Sequence, residues 1–377
     1  MLRVAVVPSQ ACPEVTTAGI DSAVAGSAAW IERALQADGT YVYEYDSDSD
    51  SFTAAYNEVR HAGVTMSLYQ LAAAGDLSVL PTADAALERM IGLLHREDDW
   101  AAIRNPGGGA IQLGASSLML AGLGQRRLAT ADTQYDVVMR EVGRFIVAMQ
   151  AEDGSFYNYW DVSAGAPDPS EKSRYATGEA FWALTLMHEA FPGEDWDEPA
   201  WAVADYLALY RDEAEGFEFP PWADQWAAYG LSEMADWSLQ DYHIAYARSL
   251  AERFGFLIRA ETQRDGSAFS ELLRGRHARA AGMGTWVEGL TSLWRLSVAD
   301  PRMADLRADI EERMICGAAL LADRQVAAEE AATGSRLGLL EGAWFTKGVT
   351  RMDDQQHALS GLLRSREVVA AREESPE

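Results

Sequence analysis

The sequence predicts an all-α protein of about twelve helices paired into six hairpins. Strand signals are almost absent, and the alternating run Thr40-Tyr41-Val42-Tyr43-Glu44-Tyr45 is short and follows a turn. Helical periodicity runs through nearly the whole chain, with expected helix starts near residues 18, 57, 81, 112, 131, 174, 196, 222, 239, 284, 301 and 353. The connections between these segments are short, as for antiparallel helix neighbours. No Pro/Gly/Ser-rich linker separates two halves, so the expectation is one domain over residues 1–377, with a flexible N-terminus over about 1–17 and a C-terminal tail over about 368–377.

A turn recurs along the chain. Gln36-Ala37-Asp38-Gly39-Thr40-Tyr41 returns as Gln150-Ala151-Glu152-Asp153-Gly154-Ser155-Phe156 and as Gln263-Arg264-Asp265-Gly266-Ser267-Ala268-Phe269. Each copy follows an amphipathic helix. Glycine stops the helix by adopting the left-handed conformation, aspartate bonds the turn backbone, and the aromatic can fold back over the helix end. A helix ending in Gln followed by Asp-Gly and an aromatic resembles the α/α toroid proteins: the six-hairpin glycosidases and, through Phe145-Ile146-Val147-Ala148-Met149-Gln150 with Gly154-Ser155-Phe156, the terpenoid cyclases. The resemblance implies an (α/α)6 barrel. It does not imply one activity, because this fold carries several.

Composition narrows the function classes. The chain has 377 residues, 48% of them hydrophobic, enough for a sizeable core. No apolar run approaches the roughly 20 residues of a membrane-spanning helix. The start, MLRVAVVPSQACPEV, lacks a signal-peptide core, so a cytoplasmic protein is expected. The net charge is −27, with only Lys172 and Lys347 as lysines, which argues against nucleic acid and anionic membranes as partners. Solubility or a salt-adapted host explains such acidity most simply. Cys12 and Cys316 read as neither a disulfide framework nor a metal pair, and the six histidines form no HExxH pattern, so neither metal nor cofactor is expected.

Under the six-hairpin reading, alternate helices form an inner ring. Their starts are unusually polar: Tyr56-Asn57-Glu58-Val59-Arg60-His61-Ala62-Gly63, Gln112-Leu113-Gly114-Ala115-Ser116-Ser117, Arg174-Tyr175-Ala176-Thr177-Gly178-Glu179, Trp222-Ala223-Asp224-Gln225-Trp226, Gly284-Thr285-Trp286-Val287-Glu288 and Arg351-Met352-Asp353-Asp354-Gln355-Gln356-His357. Tyr56 and Arg60, Asn57 and His61, Tyr175 and Glu179, and Asp353 and His357 each stand four apart and share a helix face. Each residue alone has an ordinary explanation: a carboxylate in a first turn suits the helix dipole, Asp353 and Asp354 could cap, and His61 could be a satisfied core histidine. Six such starts together, with Arg, His and Gln among them, are harder to explain by capping and point to one shared cavity.

Carboxylates beside aromatic rings suit a sugar, whose C–H faces stack on the rings while its hydroxyls bond the polar groups. The first expectation is a carbohydrate-active enzyme, a glycoside hydrolase acting on saccharides that include uronic acids. Asp224 with Glu288 or Asp353 would be the acid/base pair. Tyr56, Asn57, Arg60, Tyr175, Glu179, Gln225, Trp226, Trp286, Arg351 and Asp354 would bind substrate, together with His61. A sugar epimerase or lyase using His61 and His357 as bases is the close alternative. Further classes are a terpenoid-cyclase-like toroid, which lacks an Asp-x-Asp-Asp motif here, and a noncatalytic glycan-binding protein. The expected ligand is a small molecule or oligosaccharide.

Overall fold

The computed structural model describes residues 12–170, 174–217, 222–332 and 336–374. Among them, twelve helices of nine residues or more carry the fold: α1 Thr17–Ala34, α2 Glu58–Ala73, α3 Leu80–Gly92, α4 Leu113–Thr130, α5 Asp136–Ala148, α6 Ala176–Ala190, α7 Asp197–Leu209, α8 Gln225–Glu233, α9 Asp241–Thr262, α10 Ala280–Ala299, α11 Arg307–Asp323 and α12 Met352–Glu374. Each answers to one expected start. The largest shifts are local. Left-handed Ala131 ends α4 and delays α5 to Asp136, and a 3-10 turn over Pro301–Leu306 precedes α11.

The three Asp-Gly turns form as their chemistry dictates. Gly39, Gly154 and Gly266 all have positive φ, between 72° and 84°. The aspartate carboxylates accept from the backbone N–H two residues on, at 3.0 Å for Asp38 to Thr40, 3.0 Å for Asp153 to Ser155 and 2.9 Å for Asp265 to Ser267. In the first two copies the chain then pairs back on the helix end, Leu35 with Tyr41 and Gln150 with Phe156, and both aromatics are buried. The third copy differs. Ser267 caps a short helix, Ala268–Arg274, and Phe269 is left 65% exposed instead of folding back.

The chain divides into two compact units that no linker composition marks. The first comprises Ala34–Tyr43 and Phe52–Ala247. Here α2 packs on α4, α4 on α6 and α6 on α8, while α3, α5 and α7 each pack on the helix before them. The side-by-side helices α2, α4 and α6 are buried almost all round, as core helices must be. Short strands missed in the sequence reading fill the connections: Leu94–Glu97 pairs with Trp100–Ile103, and Tyr159–Asp161 pairs with both Ile111–Gln112 and Ala166–Asp168.

The second unit comprises Met1–Arg33, Glu44–Ser51 and Arg248–Glu377. In it α10 packs on α12, with α11 against both. Glycine permits the α10–α12 contact: a Cβ on Gly284 would stand 2.3 Å from the backbone carbon and oxygen of His357. Helix α1 is fastened here by the Trp30 indole, which donates to the Leu339 carbonyl at 2.9 Å, and by Asp21 pairing with Arg366. Two sequence expectations are corrected. Cys12 and Cys316 form a disulfide across a sequence separation of 304. Residues 368–374 continue α12 rather than forming a tail, because Val368 and Val369 are buried and hold its last turns. Residues 1–11 and 375–377 of the expected termini lie outside the described residues.

Candidate functional site

In the first unit the polar helix starts build a carboxyl cluster. Helix α4 begins where the strand Ile111–Gln112 ends, and its first amide, Leu113 N–H, donates to the Asn158 carbonyl at 3.0 Å. The next residue is Gly114, where a Cβ would meet Glu179 Oε2 at 2.3 Å. Glycine at that position therefore makes room for the Glu179 carboxyl. Gly178, just before Glu179, does the same for Asp224, whose carboxylate oxygens would meet a Cβ at 2.7 and 2.8 Å.

The two carboxyls differ in their partners. Asp224 is fully buried and caps α8, accepting from Trp226 N–H at 3.0 Å and Ala227 N–H at 3.2 Å. Its other oxygen accepts from the buried Arg211 guanidinium, which also donates to the Arg174 carbonyl. Glu179, only 4% exposed, has no side-chain hydrogen bond among the described residues. Burial first, and then the charge of Asp224, push its carboxyl up to about 8. At neutral pH it is an O–H donor. One turn earlier stands Tyr175, 48% exposed and edge-on to the Trp222 ring at 5.2 Å.

In the second unit the geometry is that of a histidine–carboxylate pair. His357 Nδ1 lies 2.9 Å from Glu288 Oε2. Glu288 is fully buried, and its Oε1 has no hydrogen-bond partner among the described residues. Burial pushes the imidazole down, but the Glu288 carboxylate, helped by Asp353 and Asp354, outweighs it and raises the pKa. Arg351 pairs with Asp353 at 3.2 Å, and Trp286 is half-buried. Asp354 is structural: it holds Arg279 at 2.6 Å and accepts from Ala281 N–H at 3.1 Å and Arg351 N–H at 3.2 Å.

Several residues expected to face a cavity are spent on the fold. His61 is fully buried, with Nδ1 at 2.6 Å from the Tyr56 hydroxyl and Nε2 at 3.0 Å from the Ala86 carbonyl. Burial lowers its pKa to about 4, so it is a neutral core histidine. Asn57 caps α2 by accepting from Arg60 N–H. The Tyr56 hydroxyl also accepts from Tyr41 N–H, and Arg60 donates to the Tyr43 hydroxyl at 2.5 Å. Gln225 and Trp226 are buried, with Trp226 stacked on Trp182 at 5.5 Å. Arg211, Arg279 and Asn158 were missed. The arginines have no local signal. Asn158 sits in the alternating aromatic stretch Phe156-Tyr157-Asn158-Tyr159-Trp160, a strand signal with one polar residue set in it.

Among the described residues no group of three or more His, Cys, Asp or Glu side chains is placed to hold a metal ion, and no helix is long and apolar enough to cross a membrane. No protein-family model matches the sequence, and no curated protein does. Solved structures match along nearly the whole chain. The cellobiose 2-epimerase of Spirochaeta thermophila superposes with a TM-score of 0.66 at 11% identity, covering 94% of this chain and 96% of that one. A GH76 alpha-mannanase of Bacteroides thetaiotaomicron gives 0.62 at 9% identity, with the same coverages of 94% and 96%. A type II terpene cyclase from Scytonema gives 0.57 at 10% identity, covering 93% and 99%. At these identities the likeness establishes architecture. The chain has the (α/α)6 barrel fold that these hydrolases, epimerases and cyclases share.

Proposed function

We propose that this chain is a carbohydrate-active enzyme that cleaves a glycosidic bond, with Glu179 as the general acid. One observation carries the reading: a buried carboxyl with no cationic partner among the described residues, kept protonated to about pH 8 beside the carboxylate of Asp224. Glu179 gives its proton to the glycosidic oxygen as the C–O bond breaks. Water adds its oxygen to the anomeric carbon and releases a proton, which restores the acid. Asp224 does not touch substrate in this reading. Arg211 and the amides of α8 engage its carboxylate, and it acts as a fixed negative charge that positions and tunes Glu179. Tyr175 and Trp222 offer rings for the sugar to stack on. Saccharide chemistry among proteins of the same fold, the mannanase and the epimerase, adds support.

The test compares Glu179→Gln with wild type on disaccharides and on dinitrophenyl glycosides. A lost general acid costs about 10²–10⁴ in kcat on the disaccharides and far less on the dinitrophenyl glycosides, whose leaving group needs no proton. Wild-type turnover should fall on the alkaline side as Glu179 ionises near its pKa of about 8. Equal turnover by both enzymes on disaccharides sinks the proposal.

A second reading, a sugar epimerase or isomerase, is favoured by the His357–Glu288 pair, an imidazole held by a carboxylate and suited to moving a proton beside a carbonyl. Uptake of deuterium at C2 of cellobiose or mannose from heavy water, lost in His357→Asn and kept in Glu179→Gln, would select it. The Cys12–Cys316 disulfide supports an oxidising compartment in place of the cytoplasm suggested by the first residues.

A further inference from the structure

Two buried polar atoms near the start of α4 have no partner among the described residues. Asn158 is 7% exposed and Trp160 is 8% exposed, yet Asn158 Oδ1 and Trp160 Nε1 make no hydrogen bond to any described residue. Buried polar groups are nearly always paired, so each orphan calls for an explanation. Here an acceptor and a donor occur two residues apart. Burial alternates along the segment: Phe156, Asn158 and Trp160 are buried, while Tyr157 and Tyr159 are half-buried. The two orphan-bearing side chains thus belong to the same side of an extended segment.

The backbone ties this segment to the acid. The Asn158 carbonyl accepts from Leu113 N–H, Trp160 pairs in register with Ile111, and the residue after Leu113 is Gly114, the one that makes room for the Glu179 carboxyl. Asn158 therefore stands at the same helix end as Glu179, within one unit of the fold. The Trp160 ring is fixed edge-on to Trp100 at a centroid distance of 5.0 Å, so its N–H is held in place rather than free to seek a partner.

We infer that Asn158 and Trp160 form a ligand-binding edge beside Glu179, with the amide oxygen accepting from one hydroxyl of a saccharide and the indole N–H donating to a neighbouring one. This rests on the saccharide reading of the Glu179 site and adds the residues that would hold the ring there. A hydroxyl is both donor and acceptor, so a vicinal pair satisfies both orphan atoms at once. An apolar ligand satisfies neither.

The test is binding by the full chain, followed by ligand-observed NMR, thermal shift and protein-observed NMR of the tryptophan indole N–H groups. The probes are the methyl glycosides of glucose, mannose, galactose and glucuronic acid, together with cellobiose. The proteins are wild type, Asn158→Ala, Trp160→Phe and Glu179→Gln. A probe that binds wild type should lose about tenfold or more in affinity in each of the first two variants and bind Glu179→Gln within a few-fold. The indole N–H resonance absent from Trp160→Phe should shift when the probe is added to wild type. Unchanged affinity in Asn158→Ala and Trp160→Phe, with an unmoved indole signal, overturns the inference, assigns the two atoms to buried water and leaves the role of Glu179 standing. Weakened binding in both, with undiminished turnover by Glu179→Gln, sinks the acid role and keeps the binding edge. Binding of none of the probes overturns both. If Asn158→Ala does not fold, Trp160→Phe and the indole shift decide, because phenylalanine keeps the packing on Trp100.

Discussion

Glu179 and Asp224 are both buried carboxyls at the starts of neighbouring helices, and their partners set them to different tasks. Asp224 has a guanidinium and two helix amides. Glu179 has burial and a negative neighbour, which keep it protonated in the fold up to about pH 8. This has a thermodynamic consequence whose sign is fixed. In the unfolded chain the group ionises near its ordinary value of 4.5, while the folded protein retains the proton. Between these two values the unfolded state binds fewer protons, so this residue removes stability as pH rises from about 4.5 to about 8. The slope is at most roughly 1.4 kcal/mol per pH unit across that window. Glu179→Gln has no such titration. Urea denaturation at several pH values should show the variant gaining on wild type from pH 5 to pH 8, and two parallel curves would contradict the assignment. His61 shows the opposite use of burial. Tyr56 and the Ala86 carbonyl occupy both its nitrogens, so its burial serves packing alone.

At the scale of elements, close helix crossing depends on which glycines face a neighbour. On α10, Gly284 lies against the backbone of His357, whereas a Cβ on Gly282 would meet nothing nearer than 3.8 Å. The same change two residues apart should therefore have opposite effects. Gly284→Ala forces α10 and α12 apart and should cost about 1–3 kcal/mol, loosening the His357–Glu288 pair with it. Gly282→Ala, in the first turn, lowers the freedom of the unfolded chain without a clash and should gain about 0.4–1 kcal/mol. Equal effects in chemical denaturation would argue against the crossing. The helices were the legible part of this fold. Their starts follow from periodicity and punctuation, and the Asp-Gly turns follow from backbone chemistry that acts within three residues. What lay beyond reading is non-local. The strands Ile111–Gln112 and Tyr159–Asp161 are two and three residues long and exist only through their pairing, the first with the second and the second also with Ala166–Asp168. The polar starts identified Glu179 and Glu288, but only the partners separate a cap from a candidate site. Arg211 reaches Asp224 from 13 residues away, and Arg279 reaches Asp354 from 75.

For the whole molecule, the acidic charge and the meeting of the chain ends bear on stability together. A net charge of −27 favours expansion, and every long-range fastener counts against it. Several join the beginning of the chain to its end within one unit. Thr17 donates through its N–H and hydroxyl to the Glu373 carboxylate, Asp21 pairs with Arg366, and Gln325 donates to the Ala23 carbonyl at 2.8 Å. The exposed Asp21–Arg366 ion pair contributes little and weakens in salt. The covalent fastener is different in kind. Joining Cys12 to Cys316 closes a loop with a sequence separation of 304 and removes the most extended conformations of the unfolded chain, where like charges lie farthest apart. A loop of that length corresponds to on the order of 5 kcal/mol in the chain-entropy account, and salt does not screen it. The expectation is specific. Denatured, unreduced protein should show no reactive thiol, and reduction should release two. Cys316→Ala and treatment with dithiothreitol should each lower Tm by several degrees, by similar amounts at low and high salt, and applying both should lower it no further. Two reactive thiols in the unreduced protein would remove the disulfide from this account and leave α1 held to the later part of the chain by hydrogen bonds and the salt-sensitive Asp21–Arg366 pair.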